Sequence, residues 1–211
     1  VKTNLESLAA LLPERPRVIV VPRQTHTTNV RVITDVPTSE ELQDVDAVVT
    51  HLKDFCLCVS TADCVPVLLY DKEKEVIAAV HAGWRGTVGR IVEKTIEVMK
   101  SHYGSEGKDV IACIGPSISL ESFEVGDEVY DAFAEAGFDM NRIAKRYEKW
   151  HLDLWEANRL QLLNQGVLPE KMEVAGICTY QQHEDFFSAR RLGIKSGRIL
   201  SGIMLCHSSA G

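Results

Sequence analysis

A chain of 211 residues, 45% hydrophobic and 25% charged, has an ordinary globular composition and the length for one well-cored domain, so residues 1–211 are expected to form a single domain. Its formal net charge of -7 argues against nucleic acid or an anionic membrane as partner, because either would demand a clustered basic face. No apolar stretch approaches the roughly 20 residues that span a bilayer, and the opening VKTNLESLAALLPERPR is amphipathic rather than signal-like, so the expected compartment is the cytoplasm.

In chain order, LESLAALL has helical spacing, with Asn4 placed to cap it. RVIVV (17–21) and VRVIT (30–34) read as strands, and PTSEELQDVDAVVT crosses a polar connection into another. In DFCLCVSTADC, Cys56, Cys58 and Ser60 alternate with Phe55, Leu57 and Val59, the period of a strand facing two layers. VPVLLYD and VIAAVH flank the charged turn DKEKE, which predicts an antiparallel hairpin. After Gly86, TVGRIVEKTIEVMKSHYG carries a helical apolar stripe that Gly104 ends. DVIACIGP and MEVAGICT read as strands, FEVGDEVYDAFAEAG and LDLWEANRLQLLNQG as helices, and GRILSGIML as a closing strand. Neighbouring strands in pairs, separated by helices, predict an α+β or mixed layered fold rather than a doubly wound parallel sheet.

The chemistry concentrates at the ends of the predicted hairpin. Its outer ends must lie side by side, so Cys64, before the first strand, is expected close to His81, at the end of the second. A thiolate beside an imidazole is either a nucleophilic pair or two ligands of a borderline-soft metal. His26, in the polar turn of VPRQTHTTNV just past another strand, supplies a third donor. The set His26, Cys64 and His81 leaves a fourth position free, the open coordination of a catalytic zinc.

Each of these residues also has an ordinary explanation. A cysteine starting a strand is most often a small core residue, and a lone histidine is most often hydrogen-bonded for structure. HAGWRG weighs against that: Gly83 and Gly86 permit close backbone approach, Trp84 offers an apolar wall, and Arg85 is a bidentate donor for phosphate or carboxylate. The remaining histidines, 51, 102, 151, 183 and 207, show no metal spacing and are read as solvated or structural. The six cysteines lack a secreted-scaffold spacing and read as reduced thiols, with Cys56 and Cys58 in the core.

Five stretches, PRQTH, STADCVPVLLYD, VIAAVHAGWRGTVGRIV, IGPSISLESFEVGDEV and CTYQQHEDFFSARRLGIKSGRILSGIML, resemble the polyphenol oxidase or laccase-domain family, in order and through nearly the whole chain. The resemblance implies an α/β/β/α four-layer sandwich related to the cysteine hydrolase fold of a bacterial necrotizing toxin, with zinc at His26, Cys64 and His81. It also implies phosphorolysis of adenosine, inosine, guanosine and methylthioadenosine to the base and ribose 1-phosphate, with hydrolytic deamination of adenosine beside it. Purine nucleosides and phosphate are then the expected partners.

Phosphorolysis places a dianion beneath an oxocarbenium-like centre, so arginines are its natural holders, and Arg85, Arg190 and Arg191 are the candidates. Asp63, next to Cys64, is a candidate base or supporting carboxylate, Gln24 could orient His26 or contact the base, and Ser60 and Thr61 could donate to phosphate. The chain departs from the family's pattern at Thr27, Ala189 and Leu192, where Gly, Tyr and Asp are usual. The family's opening segment has no counterpart in these residues, so a trimmed amino end or an incomplete site wall is expected.

Three other classes compete. A cysteine hydrolase or deamidase would use Cys64 as nucleophile and His81 as base. A copper oxidoreductase is suggested by the family's older name, although copper is less expected than zinc: a multicopper laccase needs paired His-x-His motifs, and none of the 7 histidines has another two residues away. A non-catalytic module would only bind a nucleotide or a protein in the cleft.

Overall fold

The computed structural model describes residues 2–207. Helix α1 (Lys2–Leu11) leads into β1 (Val18–Val20), β2 (Val30–Val32), β3 (Ala47–Thr50), β4 (Phe55–Thr61), β5 (Val65–Asp71) and β6 (Val76–Ala82). Then come α2 (Trp84–Val88), α3 (Ile91–Tyr103), β7 (Val110–Ile114), β8 (Glu124–Val125), α4 (Asp127–Glu135), α5 (Met140–Ile143), β9 (Ala144–Arg146) and β10 (Trp150–Leu152). The chain closes with α6 (Leu154–Asn164), β11 (Met172–Val174), α7 (Ala189–Leu192) and β12 (Ile199–Met204). A six-stranded sheet runs β11-β7-β5-β6-β3-β2, one three-stranded sheet runs β1-β4-β12, and another runs β8-β10-β9.

Strand alternation sorts the core into two layers. Val76, Ala78, Val80 and Ala82 of β6 join Val67 and Leu69 of β5 beneath Ile91, Ile96 and Met99 of α3 and Leu154 and Leu162 of α6. Ile77 and Ala79 of β6 point the other way and meet Phe55, Leu57 and Val59 of β4 and Val20 of β1. The architecture is mixed α+β: helices on one face of the large sheet, the small β1-β4-β12 sheet on the other. His81 shares the parity of Ile77 and Ala79 and so belongs to the face turned toward the small sheet.

Two connections matter for function. The chain passes from the small sheet to the large one between β1 and β2, and again between β4 and β5. His26 lies in the first passage and Cys64 in the second. The predicted hairpin forms, with Val65 opposite Ala82 and Pro66 opposite His81. Asp71 Oδ1 accepts the Glu73 and Lys74 amides at its turn.

Several local expectations are revised. Asn4 lies inside α1, which begins at Lys2, so it is not the cap. The helix after Gly86 is two helices, because Arg90 adopts a left-handed φ of 63° between them. Its guanidinium reaches the Ala136 carbonyl and packs over the Phe138 ring, which anchors the bend. The segment read wholly as helix from Phe123 begins as β8 before α4. The β9–β10 pairing was not anticipated: AKRYEKWHL lacks the alternation that marks a half-buried strand.

Candidate metal centre

His26, Cys64 and His81 converge, their donor atoms all within 4.8 Å of one another. Cys64 Sγ lies 3.7 Å from His26 Nε2. Tetrahedral zinc, with Zn–S about 2.3 Å and Zn–N about 2.0–2.1 Å, sets an S···N separation of about 3.6 Å. The imidazoles of His26 and His81 meet edge to face, centroids 4.9 Å apart. Spacing and donor chemistry therefore both fit a first-row cation with one position open.

A residue that sequence reasoning missed holds this group together. Asp46, fully buried at the entrance to β3, contacts His81 Nδ1 through Oδ1 at 2.7 Å. The contact occupies Nδ1 and leaves Nε2 for the cleft, the usual way an outer carboxylate orients a ligating histidine. The same carboxylate accepts the backbone N–H groups of Thr25, His26 and Thr27 and the Thr27 hydroxyl. These bonds hold His26 at a φ of 64°, left-handed backbone that a non-glycine residue keeps only when its surroundings enforce it. The Thr27 side chain thus adds a bond to Asp46 that a glycine could not make.

The electrostatics follow from these contacts. Burial would raise the Asp46 carboxyl, but hydrogen bonds from His81 and Thr27 outweigh it and bring its pKa to about 2. Burial would lower His81, yet Asp46 and Cys64 push it to about 9. Burial would raise the Cys64 thiol, and the two histidines bring it instead to about 6.

Gly83 lies against the donors. A β-carbon there would come 2.9 Å from His26 Cδ2 and 3.2 Å from Cys64 Sγ. Its φ of -67° suits any residue, so Gly83→Ala is expected to fold normally while displacing the two donors. The expected result is metal retention weakened at least about tenfold, comparable to losing an outer-shell partner, in a chelator competition read by metal analysis.

The donors open into a cavity of about 450 Å³ that Val21, Gln24, Thr61, Ala189, Ile194 and Arg198 help to line. An adjoining cavity of about 400 Å³ shares Ala62, Ala189 and Ile194 with it and adds Asp63, Ile118, Phe123 and Arg190. Gln24 lines the first cavity, but its amide is committed to the Ser60 backbone, donating to the carbonyl and accepting from the N–H, 2.7 Å each. It extends the pairing of β4 beyond β1, and no hydrogen bond joins it to His26 among the described residues.

Asp63, at a left-handed φ of 84°, accepts from the Thr179 hydroxyl at 2.8 Å and the Arg190 amide at 2.7 Å. Its carboxylate thereby ties the β4–β5 passage to α7.

Of the three expected phosphate holders, Arg190 alone lines either of these cavities. Arg85 is exposed and stacks on Trp84 at 4.3 Å, lining neither cavity. Arg191 stacks on Tyr180 at 5.1 Å. Arg190 lines the second cavity, donates to the Glu124 carbonyl and sits over Phe123. Arg198, which nothing in the sequence singled out, lines the first. Ala189 lies between the cavities and Leu192 is at the surface.

Among the other histidines, His151 contacts the Leu120 carbonyl and His102 that of Val98. His207 is exposed and contacts Asp54, in keeping with the solvated or structural reading; with Glu14 and Asp54 it also forms a second, more exposed group of metal-type donors within 4.8 Å of one another. These residues come from opposite ends of the chain, so their spacing carried no signal. No helix among the described residues is long and apolar enough to cross a membrane.

A family model described as multi-copper polyphenol oxidoreductase laccase matches residues 1–206. A purine nucleoside phosphorylase of Bacteroides thetaiotaomicron is 56% identical over 215 residues, covering 97% of this chain and 80% of the relative. Adenosine deaminase RL5, from an unknown prokaryotic organism, is 45% identical over 195 residues, covering 88% and 74%. Among solved structures, the Bacillus licheniformis hypothetical protein YfiH matches with a TM-score of 0.89 at 30% identity, over 96% of this chain and 80% of that one. YlmD from Geobacillus stearothermophilus matches at 0.85 and 27% identity, over 98% and 79%. The mixed α+β architecture is shared with both.

Proposed function

The chain belongs to the multi-copper polyphenol oxidoreductase laccase family, and we propose that residues 1–211 act as one domain, a zinc-dependent purine nucleoside phosphorylase that also deaminates adenosine. The observation that carries this reading is the convergence of His26, Cys64 and His81 at the floor of a cleft large enough for a small molecule. The names of the relatives support purine nucleosides, with phosphate as co-substrate, as the substrate class.

In phosphorolysis a phosphate oxygen forms a bond to C1′ of the ribose as the C1′–N9 bond breaks. The electron pair leaves with N9, and the released base takes up a proton. In deamination, water adds at C6 of adenine and ammonia departs, leaving inosine. A bound zinc ion supplies Lewis acidity and lowers the pKa of water to about 7, which suits the second reaction. His26, Cys64 and His81 would hold that ion, with Asp46 keeping His81 in the tautomer that presents Nε2. Ile118 and Phe123 in the adjoining cavity give a purine ring its apolar wall, with Arg190 at the rim. Asp63 positions α7, and hence Ala189, between the two cavities. Arg85 and Arg191 act at one remove, through Trp84 and Tyr180.

Metal analysis of the purified protein, with a nucleoside panel assayed with and without phosphate and products resolved by chromatography, tests the reading. The expected result is zinc near one equivalent, phosphate-dependent release of base, and phosphate-independent conversion of adenosine to inosine. Turnover of no nucleoside by metal-replete protein would overturn it, and copper with phenol oxidation would support the oxidoreductase alternative.

A cysteine hydrolase reading draws on the low thiol pKa of Cys64 beside two imidazoles. Alkylation separates the two. A metal-bound thiolate resists iodoacetamide until chelator is added, whereas a free catalytic thiolate reacts at once.

A further inference from the structure

We propose that Arg198 and Thr61 form the phosphate subsite of the cleft, an assignment that rests on the phosphorylase reading above. Arg198 is the one arginine or lysine lining the cavity that holds the metal-type donors. Its guanidinium is pinned by carbonyls of its own loop: Nη1 donates to Ser196 at 2.7 Å and Gly197 at 3.0 Å, and Nη2 to Ile194 at 3.1 Å. Nε–H has no partner among the described residues. A planar donor held in place with an edge unspent is suited to bidentate capture of an oxyanion, with little side-chain entropy left to lose.

Thr61 meets it from the other strand of the β4–β12 ladder. It pairs with Ile199, the residue after Arg198, so the register brings both to the same end of the small sheet. The Thr61 hydroxyl is buried, its residue 1% exposed, and has no hydrogen-bond partner although the residue lines the cavity. A buried hydroxyl without a partner is rare and destabilising, and an oxyanion in the cleft would satisfy it as acceptor. Other polar groups of this wall already have partners: the Gln24 amide bonds the Ser60 backbone, and Cys64 contacts His26 and His81. Phosphate is favoured over a neutral ligand because a cation and an unspent hydroxyl donor line the same cavity as the metal-type donors, where the reaction needs a dianion.

The test uses metal-loaded protein and inorganic phosphate, read by calorimetry and by the Michaelis constants for phosphate and nucleoside. Arg198→Gln is expected to raise the phosphate KM by at least about thirty-fold while the nucleoside KM changes less than about threefold, with partial recovery in Arg198→Lys. Thr61→Val, nearly isosteric, is expected to raise the phosphate KM by about five- to tenfold. Equal rises in both Michaelis constants would mean that Arg198 only shapes its loop, and an unchanged phosphate Kd in both variants would remove the subsite. Should the wild type turn over no nucleoside, the calorimetric comparison still decides the subsite, so the two failures are distinguishable.

Discussion

Replacing Cys64 by alanine is expected to abolish metal retention and turnover together while leaving the fold in place. Cys64 supplies the one sulfur donor, 3.7 Å from His26 Nε2, and its removal leaves two imidazoles to hold a dication. Loss of an outer-shell partner already costs about 10–100-fold in metal affinity, so loss of a direct ligand should exceed about a hundred-fold. The residue sits in the short β4–β5 passage, outside both strands, so the thermal transition of the metal-free protein should move by no more than about 1–2 kcal/mol. Metal-to-protein ratio, nucleoside turnover and a thermal melt on one preparation check all three. Wild-type metal content in the variant would remove the ligand assignment.

The second large effect belongs to Asp46, and its two substitutions should differ. Asp46→Ala removes a fully buried carboxylate that faces His81 and accepts from four groups of Thr25, His26 and Thr27, leaving those donors unsatisfied. Breaking such a buried pair costs about 3–5 kcal/mol, which for a chain of this size lowers Tm by about 10 °C. Asp46→Asn keeps the shape but introduces an N–H₂. Turned toward His81 it donates to Nδ1 and drives the ring proton onto Nε2, and turned the other way it confronts the Thr27 donors. Either orientation spoils the centre, so this variant should retain most of its stability and lose about 10–100-fold in metal affinity. Titration against a chromogenic chelator beside a thermal melt separates the two variants, and equal metal affinity in wild type and Asp46→Asn would show that the tautomer is not what Asp46 controls.

The donor triad was legible because its signals are local or nearly so. A hairpin turn between adjacent strands sets Cys64 beside His81 whatever the rest of the chain does, and the observed register bears this out. Gly83 beside His81 announced a close approach, and the backbone there does approach the donors. The phosphate subsite proposed above was less legible. Arg85 stands next to the site in sequence, but the start of α2 turns it outward onto Trp84. Arg198 gave no sign, because its place beside the cleft depends on β12 pairing with β4 across well over a hundred intervening residues.

By itself the sequence determined the strands of the six-stranded and β1-β4-β12 sheets, the hairpin and the residue types able to grip a metal, since alternation, turn chemistry and glycine placement act over a few residues. Only the tertiary structure decided that β4 and β5 belong to different sheets, that the chain's two passages between them place His26 above His81, and that Asp46 is the buried carboxylate joining both. The physical reason is that a buried charge is stable only beside partners that satisfy it. Those partners come from segments about twenty and thirty-five residues away, which neither composition nor periodicity can align.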